Sequence, residues 1–238
     1  MGYYDYPKYE SAAEKKAKAI RALEKLRKKN PDIEPVIIEG RTLAKSWWGK
    51  AWNTNLESYA DYSNRIARGK SYVRSNAVLD LKISRGLVEA KVKGSRANPY
   101  DVKIRIDALD SKKWEKVIAL CNHRIDSLEQ LVEGKFPKAL EVLFTEREYG
   151  MFPSPREIHF DCSCPDWASM CKHVAAVLYG VGARLDQNPM LFFDLRDLDG
   201  HELVRKSMEQ KLESMLKNVG KKSDREIDDE DISDLFGL

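Results

Sequence analysis

The sequence predicts an α+β fold: an N-terminal antiparallel sheet with flanking helices, followed by a helical segment that carries a small cysteine-rich unit. Three observations lead there. Three successive stretches alternate apolar and polar residues with period two: Leu79/Leu81/Ile83, Val88/Ala90/Val92 and Val102/Ile104/Ile106. On either side the apolar period becomes helical, with Trp48, Trp52 and Leu56 before the strands and Trp114, Val117, Ile118 and Cys121 after them. Finally, Cys162, Cys164, Cys171 and His173 gather within one short stretch.

From the N-terminus, residues 11–30 read as a helix opened by the capping box Ser11-x-x-Glu14 and stopped by Pro31. Its few apolar residues, Ile20, Leu23 and Leu26, make it either a basic arm or an exposed helix without a partner. Residues 31–40 read as a linker with one apolar run, Val36-Ile37-Ile38. A helix over residues 43–59 carries a tryptophan-rich face that is expected in the core. The three strands follow, the first two joined at Arg85-Gly86. Alternation turns Asp80, Lys82, Glu89, Lys91, Lys93, Lys103, Arg105 and Asp107 to the opposite, basic-leaning face. Cys121 falls on a buried helical stripe, where a free thiol acts as a small hydrophobe. Shorter helices over 126–133, ended by Gly134, and 137–144 precede an irregular stretch, 150–155. A last amphipathic helix, 199–219, carries Val204, Met208, Leu212, Met215 and Val219. The organisation is therefore a basic arm and linker (1–40), an α+β domain (41–150), a cysteine-rich unit with the C-terminal helix (151–220) and an acidic, disordered tail (221–238).

Composition limits the function classes. The 238 residues carry a net charge of +3, but residues 1–110 hold 23 Lys/Arg against 14 Asp/Glu and residues 111–238 hold 18 against 24. A basic front and an acidic back suit a polyanion-facing half. No run approaches the roughly 18 apolar residues of a membrane span, and MGYYDYPKYE contains no signal-like apolar stretch, so a cytoplasmic protein with no membrane partner is expected.

The cysteine cluster carries the chemistry. Cys162 and Cys164, six residues, then Cys171 and His173 form C-x-C…C-x-H, a complete tetrahedral set for one structural zinc ion. Residues two apart on a helix face different ways, so Cys171 is expected just before a helix and His173 in its first turn. Residues 174–185 supply that helix, with Val174, Val177, Leu178 and Val181 inward. With all four positions filled by protein, no open position is left for catalysis. Other catalytic patterns fail. No His-x-Glu pairs with Pro-Cys-x-x-Cys, His201-Glu202 lacks the second histidine of a zinc protease helix, and Gly69-Lys70-Ser71 lacks the leading glycine of a phosphate loop. Asp194, Asp197 and Asp199 are explained by helix capping.

The C-x-C…C-x-H run over about residues 157–185 resembles the SWIM zinc finger, a strand-strand-helix unit. More of the chain, from Trp47-Trp48-Gly49-Lys50-Ala51-Trp52 to the closing 231–238, looks like prokaryotic SWIM-finger proteins found alongside Swi/Snf-type helicase-like ATPases. The resemblance implies a finger that contacts nucleic acid or protein, with such an ATPase as partner.

The resulting expectation is a non-enzymatic zinc protein that binds nucleic acid, DNA ahead of RNA. The candidate contacts are the interleaved run Arg65, Arg68, Lys70, Tyr72 and Arg74, which otherwise reads as a solvated loop, and the sheet cations Lys82, Lys91, Lys93, Lys103 and Arg105, helped by the arm. The alternative is an adaptor whose finger only stabilises a docking surface. In the tail, Ile232, Leu235 and Phe236 stand at spacings of three and four among carboxylates, as a docking peptide would. Folding back onto the basic half, or mere solubilisation, are its other readings.

Overall fold

Period-two alternation becomes a hairpin, β1 (Val78–Ser84) and β2 (Leu87–Val92), followed by β3 (Tyr100–Ile106). In this computed structural model, which describes residues 10–58, 63–121, 127–135, 138–147, 150–168 and 170–218, the register sets Leu81 opposite Ala90 and Val88 opposite Ile104. The apolar positions thus share one face, and that face is buried. The fold is α+β, as expected: a four-stranded antiparallel sheet in the order β1-β2-β3-β4, the last being Ile158–Cys162, with flanking helices, and a Cys3His cluster in the C-terminal region. Ile232, Leu235, Phe236 and the whole 221–238 tail lie outside the described residues.

Three features differ from the sequence expectation. First, the strand before the C-x-C pair, β4 (Ile158–Cys162), joins the sheet beside β3, with Ile106 opposite Ile158 and Val102 opposite Cys162. Its expected role was inside a separate strand-strand-helix unit, and among the described residues that unit has no second strand. The free edge of β3 is a row of unpaired backbone groups, and β4 satisfies them. Second, residues 31–40 are not a loose linker: Val36 N–H donates to Val78 O at 3.1 Å, Leu81 N–H to Glu34 O at 2.9 Å, and Glu34 N–H to the carboxylate of Asp80 at 2.9 Å. They cover the other sheet edge, and Asp80, expected on the open face, is buried beneath them. Third, the basic run from Arg65 is helical, in α3 (Ser63–Arg74).

The reason for α3 is tertiary. A central helix, α7 (Lys172–Gln187), lies under the sheet and is buried almost all round, Val174, Val177, Leu178 and Val181 included. Helix α3 packs on it closely because Gly69 has no side chain: a Cβ there would sit 2.6 Å from the Cβ of Ala175. Val73 is buried in the same contact.

Helix α2 (Trp47–Glu57) completes this layer, with Ser46 as its N-cap. Trp48 and Trp52 are fully buried, and their indole N–H groups donate to Leu131 O and Leu178 O, both at 2.8 Å. The tryptophan stripe is therefore core with its polar atoms satisfied. Asp186 at the end of α7 accepts from Ser46 N–H and Lys45 N–H at 2.8 and 2.7 Å, locking α2 to α7. On the N-terminal side, α1 (Ala12–Arg27) shows the capping box of Ser11 and Glu14 in full.

The remaining helices are α4 (Ser111–Cys121), α5 (Leu128–Glu133), α6 (Lys138–Thr145), α8 (Leu191–Leu195) and α9 (Gly200–Asn218). Cys121 is buried on its stripe. Arg196, also buried, ties the C-terminal helices to the sheet through Asp107 O and the Glu157 carboxylate, each at 2.7 Å. On α9, Leu203 and Val204 are buried while Met208, Leu212, Met215 and Leu216 are exposed.

Candidate metal centre and its basic surroundings

Three separate elements deliver the four ligands. Cys162 ends β4, and Ser163 pins the C-x-C turn to β3: Ser163 N–H donates to Asp101 O, and Asp101 N–H to the Ser163 hydroxyl, both at 3.0 Å. Cys171 is the N-cap of α7, its sulfur accepting from Val174 N–H at 3.5 Å. His173 follows in the first turn, the arrangement the spacing predicts. The ligand atoms of Cys162, Cys164, Cys171 and His173 all lie within 4.8 Å of one another.

The donor geometry fits one metal ion. Nδ1 of His173 is 3.7 Å from the Cys171 sulfur and 3.9 Å from that of Cys162. A tetrahedral ion with metal–sulfur bonds of about 2.3 Å and metal–nitrogen bonds of about 2.0 Å needs edges of roughly 3.5–3.8 Å. The imidazole is held by its surroundings, stacked on Tyr100 at 4.4 Å and edge-on to Tyr72 at 5.4 Å. Its Nε2 is buried against the backbone of Gly94, where a Cβ would come within 2.9 Å of it. Only glycine leaves room for the ring.

The thiols also favour a cation. A hydrogen bond from Cys162 lowers the pKa of Cys171; burial opposes this, while His173 and the Val174 N–H at the helix start add to it. The same shared proton, together with burial, pushes Cys162 up. One thiolate is thus stabilised before any metal binds, and a bound cation draws off the remaining protons. Among the described residues this is the one His/Cys/Asp/Glu group placed to hold a metal. Asp197 instead pairs with Arg85 at 3.3 Å.

The ten sequence-predicted nucleic-acid contacts separate into groups. Arg68 and Tyr72 on α3, with Lys93 just past β2, line a groove of about 770 Å³ that α1 closes on the other side. Lys93 leaves the open sheet face expected for it, its ammonium donating to Gly94 O at 2.7 Å. Arg65 points to the stretch between Cys164 and Cys171 and forks onto Asp166 at 3.0 and 3.4 Å. Lys70 is paired with Glu57 at 2.8 Å, and Arg74 donates to Arg41 O at 3.3 Å. Lys82, Lys91, Lys103 and Arg105 stay on the open face of the sheet, where Lys91 pairs with Asp101 at 2.6 Å and Lys103 with Glu89 at 2.8 Å.

Sequence reasoning missed Arg96 and Lys172, which complete the groove, and Trp167, which is 96% exposed. Lys172 had a signal: between two ligands at a helix start, it must point away from the metal. No helix among the described residues is long and apolar enough to cross a membrane.

The chain is similar to a protein of Mycobacterium tuberculosis (strain ATCC 25618 / H37Rv), uncharacterized protein Rv2102, with 34% identity over 163 residues. That alignment covers 68% of this chain and 58% of the relative, so the chain spans less than two thirds of its relative's length. No family model matches the chain, and no solved structure matches it.

Proposed function

We propose that this chain is a non-enzymatic zinc-binding accessory protein that binds nucleic acid, DNA ahead of RNA, through the groove between α1, α3 and the β2–β3 turn. The observation that carries the reading is the charge of that groove. Lys15, Lys18, Arg68, Lys93, Arg96 and Lys172 line it against a single carboxylate, Glu10, which is paired with Lys18. Burial, and secondarily the neighbouring Lys18 charge, pull Lys93 below the ordinary lysine range. A phosphate backbone is the polyanion that such a groove fits.

Zinc is the ion that three thiols and an imidazole favour, and four protein ligands make it structural. Bound there, it ties β4 to α7, and so fixes Lys172 and the wall of the groove. The C-x-C…C-x-H likeness to the SWIM finger supports the same reading, and the wider likeness to proteins found alongside Swi/Snf-type ATPases favours DNA and such an ATPase as partner. The test is metal analysis, expected to give one zinc per chain, with oligonucleotide binding followed by anisotropy across a salt series. Log affinity is expected to fall linearly with log salt, at about 0.9 per phosphate contacted. Binding indifferent to salt, or none, overturns the reading.

The adaptor reading has its own observation. Met208, Leu212, Met215 and Leu216 form an exposed apolar stripe on α9, as a surface for a protein partner would. If Leu212→Glu abolishes ATPase association in a protein that binds no nucleic acid, the adaptor reading replaces the first.

A further inference from the structure

Trp167 stands in water beside residues that are tied down. Cys164 and Cys171 bracket it as metal ligands, Met170 is buried, and Asp166 is gripped by Arg65 while accepting from Ala168 N–H at 3.3 Å. The indole is 96% exposed, whereas Trp48, Trp52 and Trp114 are buried and Trp47 packs against Phe144 and Phe152. A large aromatic ring left in water next to an anchored residue is a platform without its stacking partner.

The occupant follows from what lies beside it. Arg65, Arg68 and Tyr72 are spaced i, i+3 and i+7, one stripe along α3 about 10 Å long. At one end Arg65 holds the residue next to Trp167; at the other, Arg68 and Tyr72 line the cationic groove. An aromatic platform at the end of a cationic track matches a chain of phosphates that carries flat, unpaired bases. A duplex fits less well, because its bases are already stacked on each other and offer no free face to an external ring.

We propose that Trp167 stacks on an unpaired base of a single-stranded polynucleotide whose phosphates run into the groove, so that the protein prefers single strands or frayed ends to duplex. This rests on the nucleic-acid reading above and specifies its substrate class. DNA and RNA single strands share the chemistry.

The test uses the full zinc-loaded chain with labelled oligothymidine, oligouridine and a duplex, each of about 12 nucleotides per strand, within the usual range of single-strand site sizes. Trp167→Ala is expected to weaken single-strand binding roughly ten- to hundredfold and to leave duplex binding unchanged. Trp167→Phe restores most of the affinity but removes the fluorescence quenching that single strands cause in the parent. The tighter of oligothymidine and oligouridine identifies the natural strand. If Trp167→Ala binds single strands as the parent does, with salt-dependent binding intact, the stacking inference falls and the groove reading stands. If the parent binds no nucleic acid at all, both fall. If Trp167→Ala loses a protein partner and keeps its single-strand affinity, the ring is a protein-docking residue and the inference is overturned.

Discussion

The open face of the sheet and the groove beside α3 are both rich in lysine and arginine, yet they are built oppositely. Across the sheet, the register lines up Lys82, Glu89, Lys103 and Asp161, one from each strand, with alternating sign. Lys91 pairs with Asp101, Lys103 with Glu89, and Lys82 stands opposite Glu89, so most of the positive charge on this face is compensated and its ion pairs contribute little individually. In the groove the cations come from four separate segments and face one another, and among the described residues Lys15, Arg68, Arg96 and Lys172 have no ion-pair partner. Counting basic residues along the chain treats the two regions alike. What separates them is whether folding supplies the counter-charge.

The largest expected effect tests what holds the groove together. Removing the metal with a chelator, or substituting Cys164→Ser, should abolish nucleic-acid binding and raise amide exchange through residues 158–180, while the β1–β2 hairpin stays protected. Structural zinc binding of about 10–16 kcal/mol in small modules is largely folding energy, so its loss is felt where the ligands are. Uniform exchange across the molecule would break the division between the two regions.

Next comes the charge comparison itself. The double reversal Arg68→Glu/Lys93→Glu should lower oligonucleotide affinity roughly 100-fold at low salt and flatten the salt slope by about 2. Lys91→Glu/Lys103→Glu on the sheet should change affinity less than about threefold, since those ammonium groups are already paired. Equal losses in an anisotropy titration would show that the open face is the binding surface.

A smaller effect concerns packing behind the groove. Gly69→Ala should destabilise the fold by about 1–3 kcal/mol by wedging α3 off α7, whereas Lys82→Ala on the open face should stay within about 0.5 kcal/mol. Thermal melts of the two variants compare them directly.

The smallest effect is acid sensitivity at the joint near β4. Burial opposes ionisation of Glu157, but the Ser154 N–H and hydroxyl and the Arg196 guanidinium outweigh it and hold the carboxyl below its ordinary range. A depressed folded-state value means that this stabilisation is complete above the ordinary carboxylate pKa and is lost as pH falls through the folded one. Melting temperature should therefore drop on acidification, and Glu157→Gln should flatten that drop.

Much of the fold was legible because its signals are local. The capping box at Ser11 and Glu14, the three alternating strands and the ligand spacing that makes Cys171 an N-cap each depend on residues a few positions apart. The illegible parts depend on distant residues. The α3 run has low intrinsic helical appeal and is helical because Gly69 and Val73 meet α7. The 31–40 segment looks like a linker until the open edge of β1 is there to bind it. The exposure of Trp167 left no mark in the sequence, because the stretch between Cys164 and Cys171 has no periodicity from which it could be inferred.

By itself the sequence determined the α+β class, the buried tryptophan stripe and the four candidate metal ligands, since periodicity and donor chemistry are properties of short stretches of chain. Only the tertiary structure decided that β4 is the sheet's fourth strand, that Lys93 leaves the sheet face for a groove shared with α1 and α3, and which cations are neutralised. Pairing and charge compensation are made between residues remote in sequence, and no local pattern encodes the distance between them.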